Sequence, residues 1–115
     1  MEKSNEILDL GILFSLKIIE FTGLLESQRK LVIANQLLKC GTSIGANIYE
    51  AHSAESRNDF IHKLKISDKE AKETEYWLLL CESAQSYPFD PELKAMLTRI
   101  QKLLSKIISS SKRNI

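Results

Sequence analysis

The sequence predicts an all-α protein, folded as an antiparallel up-down four-helix bundle. Only 2 prolines and 4 glycines occur in 115 residues, too few for the many turns that an all-β protein requires. Apolar residues instead recur every three or four positions in four successive segments, the spacing of one helical face. We expect a single domain over residues 1–115, with helices at roughly 4–25, 28–53, 57–85 and 91–110 and short connections that make neighbours antiparallel.

The first predicted helix is apolar around most of its circumference. Three apolar rows run along it: Ile7, Phe14, Ile18, Phe21 and Leu25; Leu8, Ile12 and Ile19; and Leu10, Leu13 and Leu24. Beyond the first turn, only a thin strip, Asp9, Lys17 and Glu20, is charged. A helix that is apolar nearly all round is buried on more than one side. We therefore expect its second side to be a subunit interface, and the protein not to be a monomer.

Capping signals mark where the other three helices begin. Ser27 is the expected N-cap of the second helix. Ser56, with Asp59 three residues later, resembles a capping box at the start of the third. Asp90 and Pro91 suit the N-cap and first turn of the fourth helix.

The segment GTSIGANIYEA, residues 41–51, keeps helical spacing despite its poor helix formers. A phosphate-binding loop would need a preceding strand and a terminal Lys-Ser/Thr, and neither is present. We interpret the segment as a structural motif of Gly41, Ser43, Gly45, Asn47 and Glu50, in which the small residues, together with Ala46, allow a neighbouring helix to approach closely. Asn47 is expected to bond a backbone group or the side chain of a neighbouring helix, because buried amides need partners. Glu50 either does the same or is a solvated charge.

Positive charge is concentrated at the C-terminal end of the chain. The net charge is only +1, yet residues 93–115 contain six basic residues and no acid. Arg99, Lys102, Lys106 and Arg113 share one helical face, and Lys112 adjoins them, with Lys94 peripheral. Such a face is often merely solvated. In a cyclic oligomer it becomes a basic belt that binds phosphate backbones, and these five residues, Arg99 to Arg113, are our candidate nucleic-acid-binding set.

No cofactor, metal site or catalytic constellation is expected. Cys40 and Cys81 fall in apolar helical patterns, typical of buried thiols in a reducing compartment. His52 and His62 lack the spacing and number of ligands that a metal site requires. The N-terminal segment has no basic region typical of a signal peptide, so we predict a cytoplasmic protein with no membrane role. A non-enzymatic function is the main hypothesis, with an intersubunit enzyme site around Asn47, Glu50 and His52 as a minor alternative.

The middle of the chain resembles the four-helix bundle proteins encoded by intervening sequences within bacterial 23S ribosomal RNA genes. The matching residues are Gln36-Leu37, Ser43-Ile44, Asn47-Ile48, Glu50, Phe60, and Glu73 or Glu75. His52 stands where the family usually has glycine, and the family's basic pair at the following turn is reduced to Arg57. The resemblance implies a ring-shaped homopentamer. It also implies kinship with accessory variability proteins of diversity-generating retroelements, which bind a reverse transcriptase and its template RNA.

Two functions from different classes therefore follow as hypotheses. In the first, an oligomeric, non-enzymatic bundle binds structured RNA or a nucleoprotein through basic faces. In the second, a pentameric scaffold or adaptor binds a protein partner such as a reverse transcriptase, without reading nucleic-acid sequence.

Overall fold

Four α-helices account for most of residues 3–113, the part of the chain that the computed structural model describes. They are α1 (Lys3–Ser27), α2 (Leu31–Ala51), α3 (Arg57–Ser83) and α4 (Pro91–Arg113), and the described residues contain no β-strand. The all-α prediction is confirmed. All the predicted helix bounds lie within three residues of these, and the largest differences are the start of α2 and the end of α4.

Each helix packs against its neighbours in the chain, and α1 also packs against α4. The residue pairing across these interfaces is antiparallel. Gly11 lies against Gly45 and Ile18 against Gly41 between α1 and α2, and Glu82 and Glu75 of α3 meet Lys94 and Gln101 of α4. The molecule is elongated, 48 × 24 × 20 Å, as expected when helices of 21–27 residues lie side by side.

The core runs along the inner face of all four helices. Its fully buried large side chains include Phe14, Ile18, Leu25, Leu37, Ile44, Ile48, Leu64, Leu93, Ile100 and Leu104. The first predicted row of α1 is buried as expected, but Leu10 joins it rather than forming part of a third row. Ser67 and Thr74 are also buried, and each hydroxyl has a backbone partner: Ser67 donates to the carbonyl of Ile44 on α2 at 2.9 Å. This bond ties α3 to α2 within the core.

The predicted caps of α3 and α4 are present. The Ser56 hydroxyl accepts from the Asp59 backbone N–H at 3.1 Å, and the Asp90 carboxylate accepts from the Glu92 N–H at 2.9 Å. The Ser27 prediction is wrong. Ser27 is the last residue of α1, where its hydroxyl donates back to the Leu24 carbonyl at 2.6 Å, and the N-cap of α2 is Lys30.

Candidate nucleic-acid interface

The basic residues of α4 divide between three environments. Lys94 pairs with Glu82 of α3 at 2.9 Å, and Arg99 pairs with Glu6 of α1 at 2.8 Å. Lys112 is turned toward α3, where it lies against Lys65. The candidate set from Arg99 to Arg113 is therefore not one continuous surface.

Lys102, Lys106 and Arg113 remain on the outer face of α4. All three are exposed, and none forms an ion pair with a carboxylate among the described residues. No large exposed hydrophobic side chain accompanies them on the described part of α4. This face presents charge alone, which suits contact with phosphates rather than stacking on bases.

The pairing of Arg99 does not remove it from the surface. Its side chain is 61% exposed and that of Glu6 is 40% exposed, so the ion pair is solvated and weak. A phosphate can compete with Glu6 for the guanidinium, which donates to carboxylate and phosphate in the same bidentate geometry. Arg99 therefore borders the outer face of α4 with its charge partly neutralised.

The glycines of the 41–51 segment lie where α2 crosses α1. A methyl group on Gly45 would lie 2.8 Å from the Gly11 carbonyl oxygen and 3.0 Å from Ser15 Oγ. A methyl group on Gly41 would lie 2.9 Å from Cγ2 of Ile18. Both glycines are buried within a continuous helix, so the segment is a site of close helix packing.

The polar members of this segment have partners on α2 and α3. Ser43 donates to the Lys39 carbonyl at 2.8 Å. Ala46 is exposed, so it does not make the close helix contact predicted for it. Half-buried Asn47 donates to the Ser43 carbonyl of its own helix at 2.8 Å. Glu50 pairs with Lys63 of α3 at 3.0 Å.

A second surface, which we call the α1–α2 apolar face, borders this crossing. It consists of Ile12, Leu16 and Ile19 of α1 and Leu38 and Tyr49 of α2. Ile12 follows Gly11, and Tyr49 lies one turn after Gly45, so both flank the same crossing.

Exposed apolar side chains concentrate on these two helices. Of the eleven large exposed hydrophobics in the described chain, five are on α1, at 44–56% exposure, and four are on α2. The apolar rows predicted for α1 included Ile12 and Ile19 of the α1–α2 apolar face, but not Leu16. The sequence also holds a signal for the α2 part, since Leu31, Leu38 and Tyr49 recur at intervals of seven and eleven residues, which places them on one helical face.

The three residues of the alternative enzyme site each lie against a group of the described chain. His52 Nδ1 lies 2.9 Å from the Ile48 carbonyl of its own helix, and Asn47 and Glu50 have the partners given above. The thiols are free and buried, and burial raises the pKa of Cys40 to about 11 and also raises that of Cys81. No group of three or more His, Cys, Asp or Glu side chains within residues 3–113 is placed to hold a metal ion. No helix in that range is long and apolar enough to cross a membrane.

Of the two glutamates of the family-like pattern, one is bonded within α3 and the other links α3 to α4. Glu73 accepts from the Trp77 indole N–H at 3.2 Å. Glu75 accepts from Gln101 of α4 at 2.9 Å, and this hydrogen bond, with Lys72 nearby, lowers the pKa of the Glu75 carboxyl.

Comparison with known families agrees with this geometry. The model of the 23S rRNA-intervening sequence protein family matches residues 3–109. The chain belongs to that family. A crystal structure of a protein of unknown function, from the S23 ribosomal protein family of Bacteroides thetaiotaomicron, superposes with a TM-score of 0.84. The two sequences are 42% identical over 94% of this chain and 99% of the other. No curated protein matches the chain.

The family assignment made from residues 31–80 is thus confirmed, together with the all-α class. The ring-shaped oligomer, the RNA contact and the cytoplasmic location remain predictions.

Proposed function

We propose that this protein is a non-enzymatic, oligomeric helical bundle that binds structured RNA through the outer face of α4. The main observation behind the proposal is that exposed apolar side chains and basic side chains lie on different helices. Exposed apolar side chains gather on α1 and α2, whereas α4 carries six basic residues and no acid after Glu92. Self-association through the α1–α2 apolar face leaves α4 outside and repeats its charge around the assembly.

The apolar side supports an oligomer on physical grounds. Scattered exposed apolar residues are normal, but a contiguous group is a typical interaction surface. One long face of a 48 × 24 × 20 Å molecule is large enough for the roughly 800 Å² that each partner contributes to a stable interface. The homopentamer implied by the family resemblance is the assembly we expect.

The RNA proposal rests on charge and on family membership. Lys102, Lys106 and Arg113 are exposed and lack carboxylate partners among the described residues. The matched family is named for intervening sequences of 23S rRNA, which makes structured RNA the first nucleic acid to test. Binding of this kind comes from counterion release and is sensitive to salt.

A titration of labelled, structured RNA followed by fluorescence anisotropy at several salt concentrations tests the proposal. We expect log affinity to fall linearly with log salt for the wild-type protein. The double variant Lys102→Glu/Lys106→Glu should bind more weakly, with a slope smaller by about 0.7–0.9 for each phosphate that the variant no longer neutralises.

The matched control is Lys39→Glu/Lys69→Glu, which makes the same charge change at exposed lysines of α2 and α3. It should retain most of the affinity. No binding by the wild-type protein at low salt, or equal weakening in both double variants, would refute the assignment to α4.

A protein adaptor is the second candidate function. Its support is the pair Tyr76 and Leu79, both 53% exposed on α3, with Leu79 lining a 320 Å³ groove shared with α4. The partial neutralisation of Arg99 and Lys94 also favours it, because it reduces the positive charge available to RNA. A reverse-transcriptase gene with template repeats beside this gene would favour the adaptor. Direct binding of that purified enzyme, abolished by Leu79→Glu, would establish it.

A further inference from the structure

A small cleft lies at one end of the bundle, where α3 begins and α4 ends. Its walls are Asn58, Ile61, His62 and Lys65 of α3 and Lys112 of α4, and its volume is about 270 Å³. We call it the α3–α4 end cleft. Its apolar contribution is the buried Ile61 side chain, and the remaining walls carry nitrogen donors.

The two lysines of the cleft are placed against each other. The contact between their side chains and the repulsion between their charges lower the pKa of Lys112. Lys17, Lys63, Lys94 and Arg99 each meet a carboxylate of another helix. Neither Lys65 nor Lys112 forms such a pair with any carboxylate of residues 3–113.

The nearest acids in the sequence have other roles or lie outside the cleft wall. Asp59 adjoins Asn58, but its carboxylate accepts from the Glu55 backbone N–H at 3.3 Å in the cap of α3. Asp68, one turn after Lys65, is half-buried and does not line the cleft. The positive charge of the two lysines is therefore not neutralised from within the described chain.

Two adjacent ammonium groups repel each other, and an anion bound between them removes that repulsion. Asn58 and His62 add further donors on the same wall, and Asn58 stands in the first turn of α3, at the positive end of the helix dipole. Two cations, an amide and an imidazole around a small cleft match a tetrahedral oxyanion with several acceptor oxygens.

We propose that the α3–α4 end cleft binds a phosphate group between Lys65 and Lys112. If the bound phosphate belongs to an RNA backbone, this inference rests on the proposed function, and the cleft fixes the position of one phosphate of the RNA. Free inorganic phosphate presents the same chemistry, so the two sources are separated by experiment.

The first experiment measures thermal unfolding of the full chain in phosphate and in chloride at equal ionic strength. Phosphate should raise the midpoint of the wild-type protein, because a ligand of the native state stabilises it by mass action. The variant Lys65→Gln/Lys112→Gln should lose this increase. The control variant Lys39→Gln/Lys69→Gln should keep the increase. Comparison with this control corrects for the general stabilising effect of phosphate as an excluded salt.

The proposal that the cleft binds phosphate would be overturned if phosphate raised the unfolding midpoint equally in all three proteins. It would also be overturned if phosphate did not raise the midpoint of the wild-type protein. The variant itself should remain folded, because both lysines are exposed and their repulsion is removed. Circular dichroism in chloride verifies this before phosphate is added.

The second experiment repeats the RNA titration with the same three proteins. If the cleft holds a backbone phosphate, Lys65→Gln/Lys112→Gln should reduce the salt slope by about 0.7–0.9 and weaken binding. A cleft variant that loses phosphate stabilisation but binds RNA as the wild type does identifies free phosphate as the ligand. Phosphate stabilisation in a wild-type protein that binds no RNA would support the cleft while refuting the proposed function.

Discussion

At Gly45, the absence of one side-chain carbon sets the distance between two helices. The position where a Cβ would stand is 2.8 Å from a backbone oxygen of Gly11, and backbone cannot move aside as a flexible side chain can. Gly23, in the same protein, has nothing within 4 Å of that position. Replacement of glycine by alanine should therefore have opposite effects on stability at these two positions.

We expect Gly45→Ala to destabilise the fold by about 1–3 kcal/mol, because overpacking at a buried contact exceeds the ~1 kcal/mol that alanine gains in helix propensity. Gly23→Ala should stabilise it by about 0.5–1 kcal/mol, because only the propensity term applies. Urea unfolding followed by circular dichroism measures both. Equal stability of the two variants would show that α1 and α2 are not held together at this crossing.

The sequence predicted the close approach at residues 41–51 but not its partner. Gly11 could not be identified from the sequence as the partner of Gly45, because a single glycine in an apolar helix can have several structural roles. The prediction included Ala46 in the helix contact because small residues look alike in a sequence. Only the helix rotation distinguishes Gly41 and Gly45, which face α1, from Ala46, which faces solvent.

At the scale of the elements, the turn from α1 to α2 is where sequence reasoning failed. The Lys30 N–H donates to the Leu25 carbonyl and the Arg29 N–H to the Glu26 carbonyl, both at 2.9 Å. This is the Schellman pattern of a helix C-terminus, which normally uses glycine in the left-handed conformation. Arg29 has a φ of 61° there. Because the turn contains no glycine, the sequence gives no sign that α1 ends there. The N-cap of the second helix was therefore predicted at Ser27.

Arg29→Gly should stabilise the protein by about 0.5–1 kcal/mol. A left-handed conformation costs about 1–2 kcal/mol for an L-residue, and the greater freedom of glycine in the unfolded chain offsets part of the relief. Arg29→Ala is the control, since it removes the charge but keeps the Cβ, and should change stability by less than about 0.5 kcal/mol. If both variants were stabilised equally, the charge of Arg29 rather than its backbone would be the cause.

At the scale of the whole molecule, the four helices present two dissimilar sides. The apolar periodicity of α1 predicted a second apolar side on this helix, but not that exposed side chains of α2 extend this apolar surface, because the relative rotation of two packed helices is a tertiary property. Lys65 and Lys112 illustrate the same limit, since 47 residues separate them in sequence and only the pairing of α3 with α4 brings them together.

We expect sedimentation equilibrium to give a mass that is a multiple of the 13.1 kDa chain. Leu16→Glu/Ile19→Glu should dissociate the assembly, because it places two charges within the α1–α2 apolar face. Leu79→Glu changes an equally exposed leucine of α3 and should leave the mass unaltered. A wild-type protein that sediments at 13.1 kDa would contradict the proposed interface.

Trp77 is the one tryptophan of the chain, and its position gives the protein an intrinsic optical probe. The indole donates to Glu73 and meets the Tyr76 ring edge-on, with centroids 5.2 Å apart, so its emission reports the surroundings of a single turn of α3. A partner that covers Tyr76 would shift the emission wavelength. Self-association through the α1–α2 apolar face would leave the emission wavelength nearly constant. The fluorescence of Trp77 would therefore distinguish the two kinds of association in a single sample.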